Sequence, residues 1–94
     1  MTIRDVCRTF ILGNSTAIGS TENLINGPGG LYSHGVRIGY RDDDGIVVVT
    51  RNRGDDPKGV IRHRNLLVEL LKAHQVTFVY ESYFNAQNAQ ENIA

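Results

Sequence analysis

The chain has 94 residues, of which 40% are hydrophobic, and its ten Lys and Arg balance its ten Asp and Glu. This length allows one domain with a modest core, and the balanced charge excludes a polycation that binds nucleic acid through net charge alone. The single cysteine, Cys7, excludes an intramolecular disulfide. No apolar run approaches a membrane span and no secretory segment opens the chain, so we expect a cytoplasmic protein without a membrane partner.

The first predicted element is an amphipathic helix that begins at Thr2. Thr2 and Asp5 form a variant of the capping box, and Gly13 and Asn14 are typical of a helix end. Between them, apolar residues recur at the spacing of one helical face: Ile3, Val6, Cys7, Phe10 and Ile11. Because Cys7 belongs to this stripe, we expect a packed thiol rather than a nucleophile.

Strands are predicted to follow, the first of them a short edge strand over Glu22 to Ile25. The segment Leu31 to Arg41 alternates as one strand. Its inward face carries Tyr32, His34, Val36, Ile38 and Tyr40, and its outward face carries Ser33, Gly35, Arg37, Gly39 and Arg41. With both tyrosines inward, this strand lacks the exposed aromatic residues of a platform for single-stranded nucleic acid.

A hairpin is predicted to join this strand to the next. The contiguous acids of Asp42 to Gly45 indicate a tight turn rather than a calcium loop, in which the acids alternate. Ile46 to Arg51 is the returning strand. Its Val47 and Val49 lie opposite Ile46 and Val48, which leaves them for a partner or a second subunit and predicts a homodimer.

The second predicted helix runs from about Lys58 to His74. Val60, Leu67 and Leu71 mark the centre of its apolar arc, and a last strand follows with Val76, Phe78 and Tyr80 on one face. Together these elements predict a single α+β domain over residues 1–84, in the order α-β-β-β-α-β, with an antiparallel sheet packed on two helices. Residues 85–94, rich in Asn, Gln and Ala, predict a flexible tail.

Basic residues concentrate in the hairpin and in the loop that leads into the second helix. This basic cluster comprises Arg37, Arg41, Arg51, Arg53, Lys58 and Arg62, and it is the predicted partner-binding site. Neighbouring cations neutralise phosphates or acidic protein groups. The acids at 42–44 and 55–56 dilute the positive field, so a protein partner, nucleic acid and an ordinary solvated surface all stay open.

No residue pattern predicts catalysis, a metal or a cofactor. His34, His63 and His74 match no spacing of metal ligands, and we expect partly buried structural histidines. Ser33 and His34 are predicted on opposite faces of one strand, which is the wrong geometry for a base that activates a hydroxyl.

The order of these features resembles that of small uncharacterised proteins encoded by phages and prophages. The residues that carry the resemblance are Phe10, Gly13 and Asn14, then Tyr32, His34, Gly35 and Ile38, and finally His63, Asn65 and Leu66. The similarity covers about residues 10–71, although Gly54 to Gly59 stands where those proteins have a Thr-rich loop. Accessory proteins of this kind often bind and redirect a host factor, including defence nucleases.

The resemblance therefore implies a non-enzymatic macromolecule-binding protein. Its expected role is that of a phage-type accessory or inhibitor protein in the host cytoplasm. Its expected partner is a host protein or nucleoprotein complex, such as a CRISPR-like defence nuclease. The alternative is a small nucleic-acid-binding protein that uses the basic loop and the helix start. We expect no cofactor in either case.

Overall fold

The computed structural model describes residues 2–13, 18–19, 23–52 and 54–81, so the predicted tail and Arg53 lie outside the described residues. Two helices, α1 (Ile3–Ile11) and α2 (Lys58–Ala73), pack on one sheet. In chain order the strands are β1 (Ile18–Gly19), β2 (Leu24–Gly27), β3 (Gly30–Ser33), β4 (Val36–Arg41), β5 (Val47–Val49) and β6 (Phe78–Tyr80). The predicted α+β class is confirmed.

Helix α1 begins where the capping box predicts it. The Thr2 hydroxyl accepts a hydrogen bond from the Asp5 backbone N–H at 3.2 Å, and the Asp5 carboxylate accepts one from the Thr2 backbone N–H at 3.2 Å. Gly13 follows the helix with a φ of 78°, in the left-handed region that favours glycine. The apolar stripe of α1 is thereby held against the sheet at a defined start and end.

The strands of the described residues form one sheet in chain order, from β1 to β6. Neighbouring strands are antiparallel from β1 to β5, and β6 pairs with β5 in parallel. This parallel pair is the departure from the predicted antiparallel sheet. It arises because α2 crosses over the sheet and returns the chain to the same end, which makes β5, α2 and β6 a βαβ unit.

The segment predicted as one strand over Leu31 to Arg41 is two strands joined by a tight turn. His34 and Gly35 have φ values of 50° and 82°, and the chain reverses at these residues between β3 and β4. The prediction of one continuous strand is wrong. The turn contains two residues, so the apolar residues before and after it keep the alternate spacing that a continuous strand would show, and the sequence pattern does not reveal the break. His34, predicted on the inward face, is exposed in this turn.

A bulge in β4 decides which side chains share a face of the sheet. Tyr32 pairs with Arg37, whereas Leu31 pairs with Gly39, so β4 carries one residue more than β3 over the same length. Ile38 is the extra residue. Beyond it, the alternation of β4 is shifted by one position relative to a regular strand.

The bulge and the turn place both tyrosines on the face away from the helices, so the prediction of inward tyrosines is wrong. Tyr32 lies opposite Arg37, and Tyr40 lies on the same side of β4 as Arg37. Arg41, predicted outward, lies on the helix side, where its Nη2 donates a hydrogen bond to the Ile11 carbonyl at 2.7 Å.

The core lies between the sheet and both helices. Its buried members are Val6, Cys7, Phe10, Ile11, Leu24, Leu31, Ile38, Val47, Val49, Val60, Leu66, Leu67, Leu70 and Leu71. Val47 and Val49 are 0% exposed. The prediction that these two valines are available to a second subunit is therefore wrong, because they belong to the core. Neither helix of the described residues is long and apolar enough to cross a membrane.

Candidate functional site

The cations of the predicted basic cluster are spread over three parts of the surface. Lys58 and Arg62 line a groove between α1 and α2. Arg37 and Arg51 line a hollow beside the end of β5, and Arg41 lines a smaller hollow beside the end of α1. The structure thus distributes the described members of the cluster as two pairs and one single residue rather than as one surface. Whether any of these cations contacts a partner stays a prediction.

The groove between the helices, which we call the α1–α2 groove, is the largest of these hollows, with a volume of about 480 Å³. Its lining combines apolar and cationic side chains: Ile3, Ile61 and Leu66 with Arg4, Lys58 and Arg62, together with Asn65 and Glu69. The Nη2 of Arg4 lies 3.6 Å from the Oε1 of Glu69, so an ion pair joins the two helices. Three cations against one acid leave the lining with a net charge of +2.

The start of α2 adds to the positive potential of this groove. Pro57 is the N-cap, and it makes no side-chain capping hydrogen bond in the described part of the chain. The first backbone N–H groups of a helix carry a partial positive charge. Lys58 and Arg62 lie one turn apart on this first part of the helix, and both are exposed.

The hollow beside the end of β5, about 250 Å³, contains a buried ion pair. The Nη1 of Arg64 lies 3.0 Å from the Oδ2 of Asp56, and these side chains are 8% and 10% exposed. The Nη2 of Arg64 also donates a hydrogen bond to the Thr50 hydroxyl at 3.2 Å. The pair ties the loop before α2 to the helix, which is a structural role. Since Asp56 and Glu81 oppose the cations there, this hollow is a poor site for an anion.

Ser33 and His63 form a buried pair that the sequence did not predict. The Ser33 Oγ lies 2.6 Å from the His63 Nδ1, the distance of a nucleophile and its base. Both side chains are 0% exposed, so no substrate reaches the hydroxyl in this structure. This hydrogen bond gives a partner to two polar groups inside the core, and buried polar groups need such partners.

Two of the histidines form a stacked pair, in which His63 is buried and His34 is exposed, and the third is exposed elsewhere. His34 stacks on His63 with ring centroids 5.7 Å apart, and His74 is exposed at the end of α2. A Cβ atom added to Gly59 would lie 2.6 Å from the His34 Nε2, so this glycine lets His34 pack on the helix start. Among the residues that the structure describes, no three metal-binding side chains come together.

Arg4 is the cation of the groove that the sequence did not predict. It lies on the exposed side of α1, and only the side-by-side packing of the helices brings it near Lys58 and Arg62. The signal available in the sequence is its place beside Ile3, at the border of the apolar stripe. Arg64 was also missed, although it lies four residues after Val60 and so on the buried side of α2.

Comparison with family models, with curated proteins and with solved structures finds no match to this chain. The chemistry of its surfaces is therefore the basis for a function. Of these three hollows, the α1–α2 groove is the one that combines an apolar lining with an excess of cations.

Proposed function

We propose that this protein is a non-enzymatic binding protein that docks a protein partner in the α1–α2 groove. The observation that carries the proposal is the apolar lining beside three cations. A partner segment with apolar anchors and nearby carboxylates complements both parts of this lining. The anchors would pack on Ile61 and Leu66, and the carboxylates would face Lys58 and Arg62. Buried anchors supply affinity, and complementary charge supplies orientation and a fast encounter.

The proposed partner is a host protein or nucleoprotein complex in the cytoplasm of a host cell. The support for this part is the sequence resemblance to phage and prophage accessory proteins. On that basis the protein acts as an accessory or inhibitor protein, with a CRISPR-like defence nuclease complex as the kind of target. An acidic segment on such a complex that normally faces nucleic acid or another subunit would be masked by this groove.

Site-specific photocross-linking tests the proposal. A photoreactive amino acid replaces Asn65, which is exposed in the groove, or Thr77, which is exposed before β6. In lysate of the host we expect one specific cross-linked partner from position 65 and none from position 77. The partner is then purified, and its affinity for the protein is measured by calorimetry at two salt concentrations.

Charge reversal in the groove provides the matched variants. Lys58→Glu with Arg62→Glu is expected to weaken binding of that partner at least about tenfold, since repulsion adds to lost attraction. The control reverses Arg8 and Lys72, which are exposed outside the groove and change the net charge by the same amount. Equal affinity of the folded groove variant and the control would contradict the proposal.

A further inference from the structure

The face of the sheet away from the helices, which we call the outer face, carries aromatic and apolar side chains around one cation. Two rows of paired residues define it. Ile25, Tyr32 and Arg37 form one row across β2, β3 and β4, and Tyr40, Val48 and Val79 form the other across β4, β5 and β6. Arg37 is the one charged residue among the described strand residues of this face.

Part of this outer face is open to solvent, although Val48 of β5 is buried. Ile25 and Val79 are each 48% exposed, at opposite sides of the sheet. Tyr32 and Tyr40 are half-buried, and Arg37 is exposed. A surface of large apolar side chains that stays open on a soluble domain is typical of a binding site.

Arg37 and Tyr40 form a stacked pair on the outer face. The guanidinium carbon of Arg37 lies 4.2 Å from the centroid of the Tyr40 ring. Its Nη1 also donates a hydrogen bond to the Gly29 carbonyl at 3.4 Å. The stacking contact and the hydrogen bond together hold the planar guanidinium over the ring. Its other side is exposed, so a further planar group can stack there.

Tyr32 is oriented by the same turn that holds Arg37. A Cβ atom on Gly29 would collide with the Tyr32 hydroxyl, so the absence of a side chain at position 29 makes room for this ring. Tyr32 and Arg37 lie on adjacent strands and pair directly across them. Two planar groups, the Tyr32 ring and the Arg37 guanidinium, are thus presented side by side.

We propose that the outer face binds single-stranded nucleic acid by stacking bases on Tyr32 and on the Arg37–Tyr40 pair. Aromatic rings and arginine planes are the groups on which proteins stack unpaired bases, largely without regard to sequence. Arg37 supplies one positive charge, but Asp56 and Glu81 line the same hollow beside the end of β5, so stacking rather than phosphate contact supplies most of the proposed affinity. This activity uses a surface separate from the α1–α2 groove, and it replaces the basic loop as the site of nucleic-acid contact.

A second copy of the chain is a poorer occupant of the same face. In a two-fold symmetric interface each patch meets its own copy, which brings Arg37 near the partner copy's equivalent cation at the centre. Like charges in such a contact are unfavourable. The acidic turn at 42–44 follows β4 and would repel the phosphates of a strand that continued past it. We therefore expect a short site of about two or three bases.

Fluorescence anisotropy of the full chain with a labelled oligothymidylate of about twelve nucleotides tests the proposal, with a duplex of the same length as comparison. Tyr32→Leu keeps an apolar side chain but removes the ring, and we expect the Kd to rise about tenfold. Tyr32→Phe keeps the ring and is expected to bind like the original chain. The matched control is Tyr80→Leu, because Tyr80 is 51% exposed on the same sheet but on the other face.

The salt dependence separates stacking from general electrostatic binding. Because Arg37 neutralises one phosphate at most, the logarithm of the affinity should fall with that of the salt concentration with a slope no steeper than about −0.7. Equal affinities of Tyr32→Leu and Tyr32→Phe, or duplex binding as tight as single-strand binding, would overturn the proposal. So would light scattering that shows a dimer dissociated by Tyr32→Leu while oligonucleotide affinity is unchanged.

Discussion

Cys7 lies on the buried stripe of α1, and its surroundings decide its chemistry. Burial raises the pKa of its thiol from 9.0 to about 12, while the positive charge of Arg4 acts in the opposite direction with a smaller effect. The thiolate is the reactive form of cysteine, so this thiol is inert in the folded protein at neutral pH. Its role is to pack in the core, as the helical periodicity predicts.

The raised pKa of Cys7 makes stability depend on alkaline pH. The folded state keeps the thiol proton up to a higher pH than the unfolded state does. This contribution to stability is therefore intact below pH 9 and is lost as the pH rises from 9.0 towards 12. In that window we expect the free energy of unfolding to fall by up to about 1.4 kcal/mol per pH unit from this group.

Urea unfolding of the original chain and of Cys7→Ala at pH 8 and pH 10 measures this effect. Cys7→Ala lacks the thiol, so its stability should decline less between the two pH values, while other groups that titrate there act equally on both chains. Parallel declines in the two proteins would show that Cys7 ionises as readily in the folded state as in the unfolded one.

At the scale of single residues, the sequence predicted which residues are buried better than it predicted which side chains contact each other. The stripe of α1 and the arc of α2 are buried as their spacing predicts. Ser33 was placed outward, yet it lies against His63, thirty residues away. Contacts of this kind depend on how elements pack, which no local pattern contains. Asp56, which the sequence predicted only to dilute the charge of the basic cluster, likewise pairs with Arg64.

At the scale of elements, the sheet and both helices approach each other closely at Gly39 of β4. A Cβ atom at this position would lie 2.8 Å from the Leu67 Cδ2 of α2 and 3.4 Å from the Phe10 ring of α1. Both helices therefore pack against the backbone of β4 at Gly39, which has no side chain. This contact fixes how near the two layers can come and thus the depth of the core.

A double-mutant cycle tests this contact. Gly39→Ala overpacks the layer and is expected to cost about 1–3 kcal/mol of stability, and Leu67→Ala leaves a cavity and is expected to cost about 2–5 kcal/mol. In the double variant the new methyl group occupies part of that cavity. The combined cost, from urea unfolding, should be smaller than the sum by about 0.5 kcal/mol or more. Strict additivity would mean that residues 39 and 67 do not contact each other.

The helices could be predicted from the sequence because caps and a 3.6-residue period both mark them. The break in the strand predicted over Leu31 to Arg41 could not be predicted from the sequence. His34 is a non-glycine residue with positive φ, and the Ile38 bulge follows four residues later. Each feature changes which face a residue occupies, and neither has a strong sequence signal. The error in the tyrosines and in Arg41 follows from these two features.

At the scale of the whole molecule, the α+β class and the packing of one sheet on two helices were predictable, whereas the number of strands between the helices and the distribution of surface charge were not. The basic residues are near one another in the sequence between 51 and 62 and lie in separate hollows in the fold. Conversely, Arg4 and Arg62 are far apart in sequence and share a groove. Surface sites are assembled from distant segments, so their composition requires the fold.

Among the residues that the structure describes, the core is built mainly from those before the last strand. Its buried members end at Leu71, and the partly buried residues packed against them extend to Phe78. We therefore expect a chain that ends at residue 84 to keep a cooperative urea transition, with a stability change below about 1 kcal/mol. The control chain ends at residue 75, which removes β6 together with Val76 and Phe78, and it should unfold at much lower urea. If the chain of residues 1–84 lost cooperative unfolding while binding of the oligothymidylate also disappeared, residues 85–94 would have to belong to the folded domain.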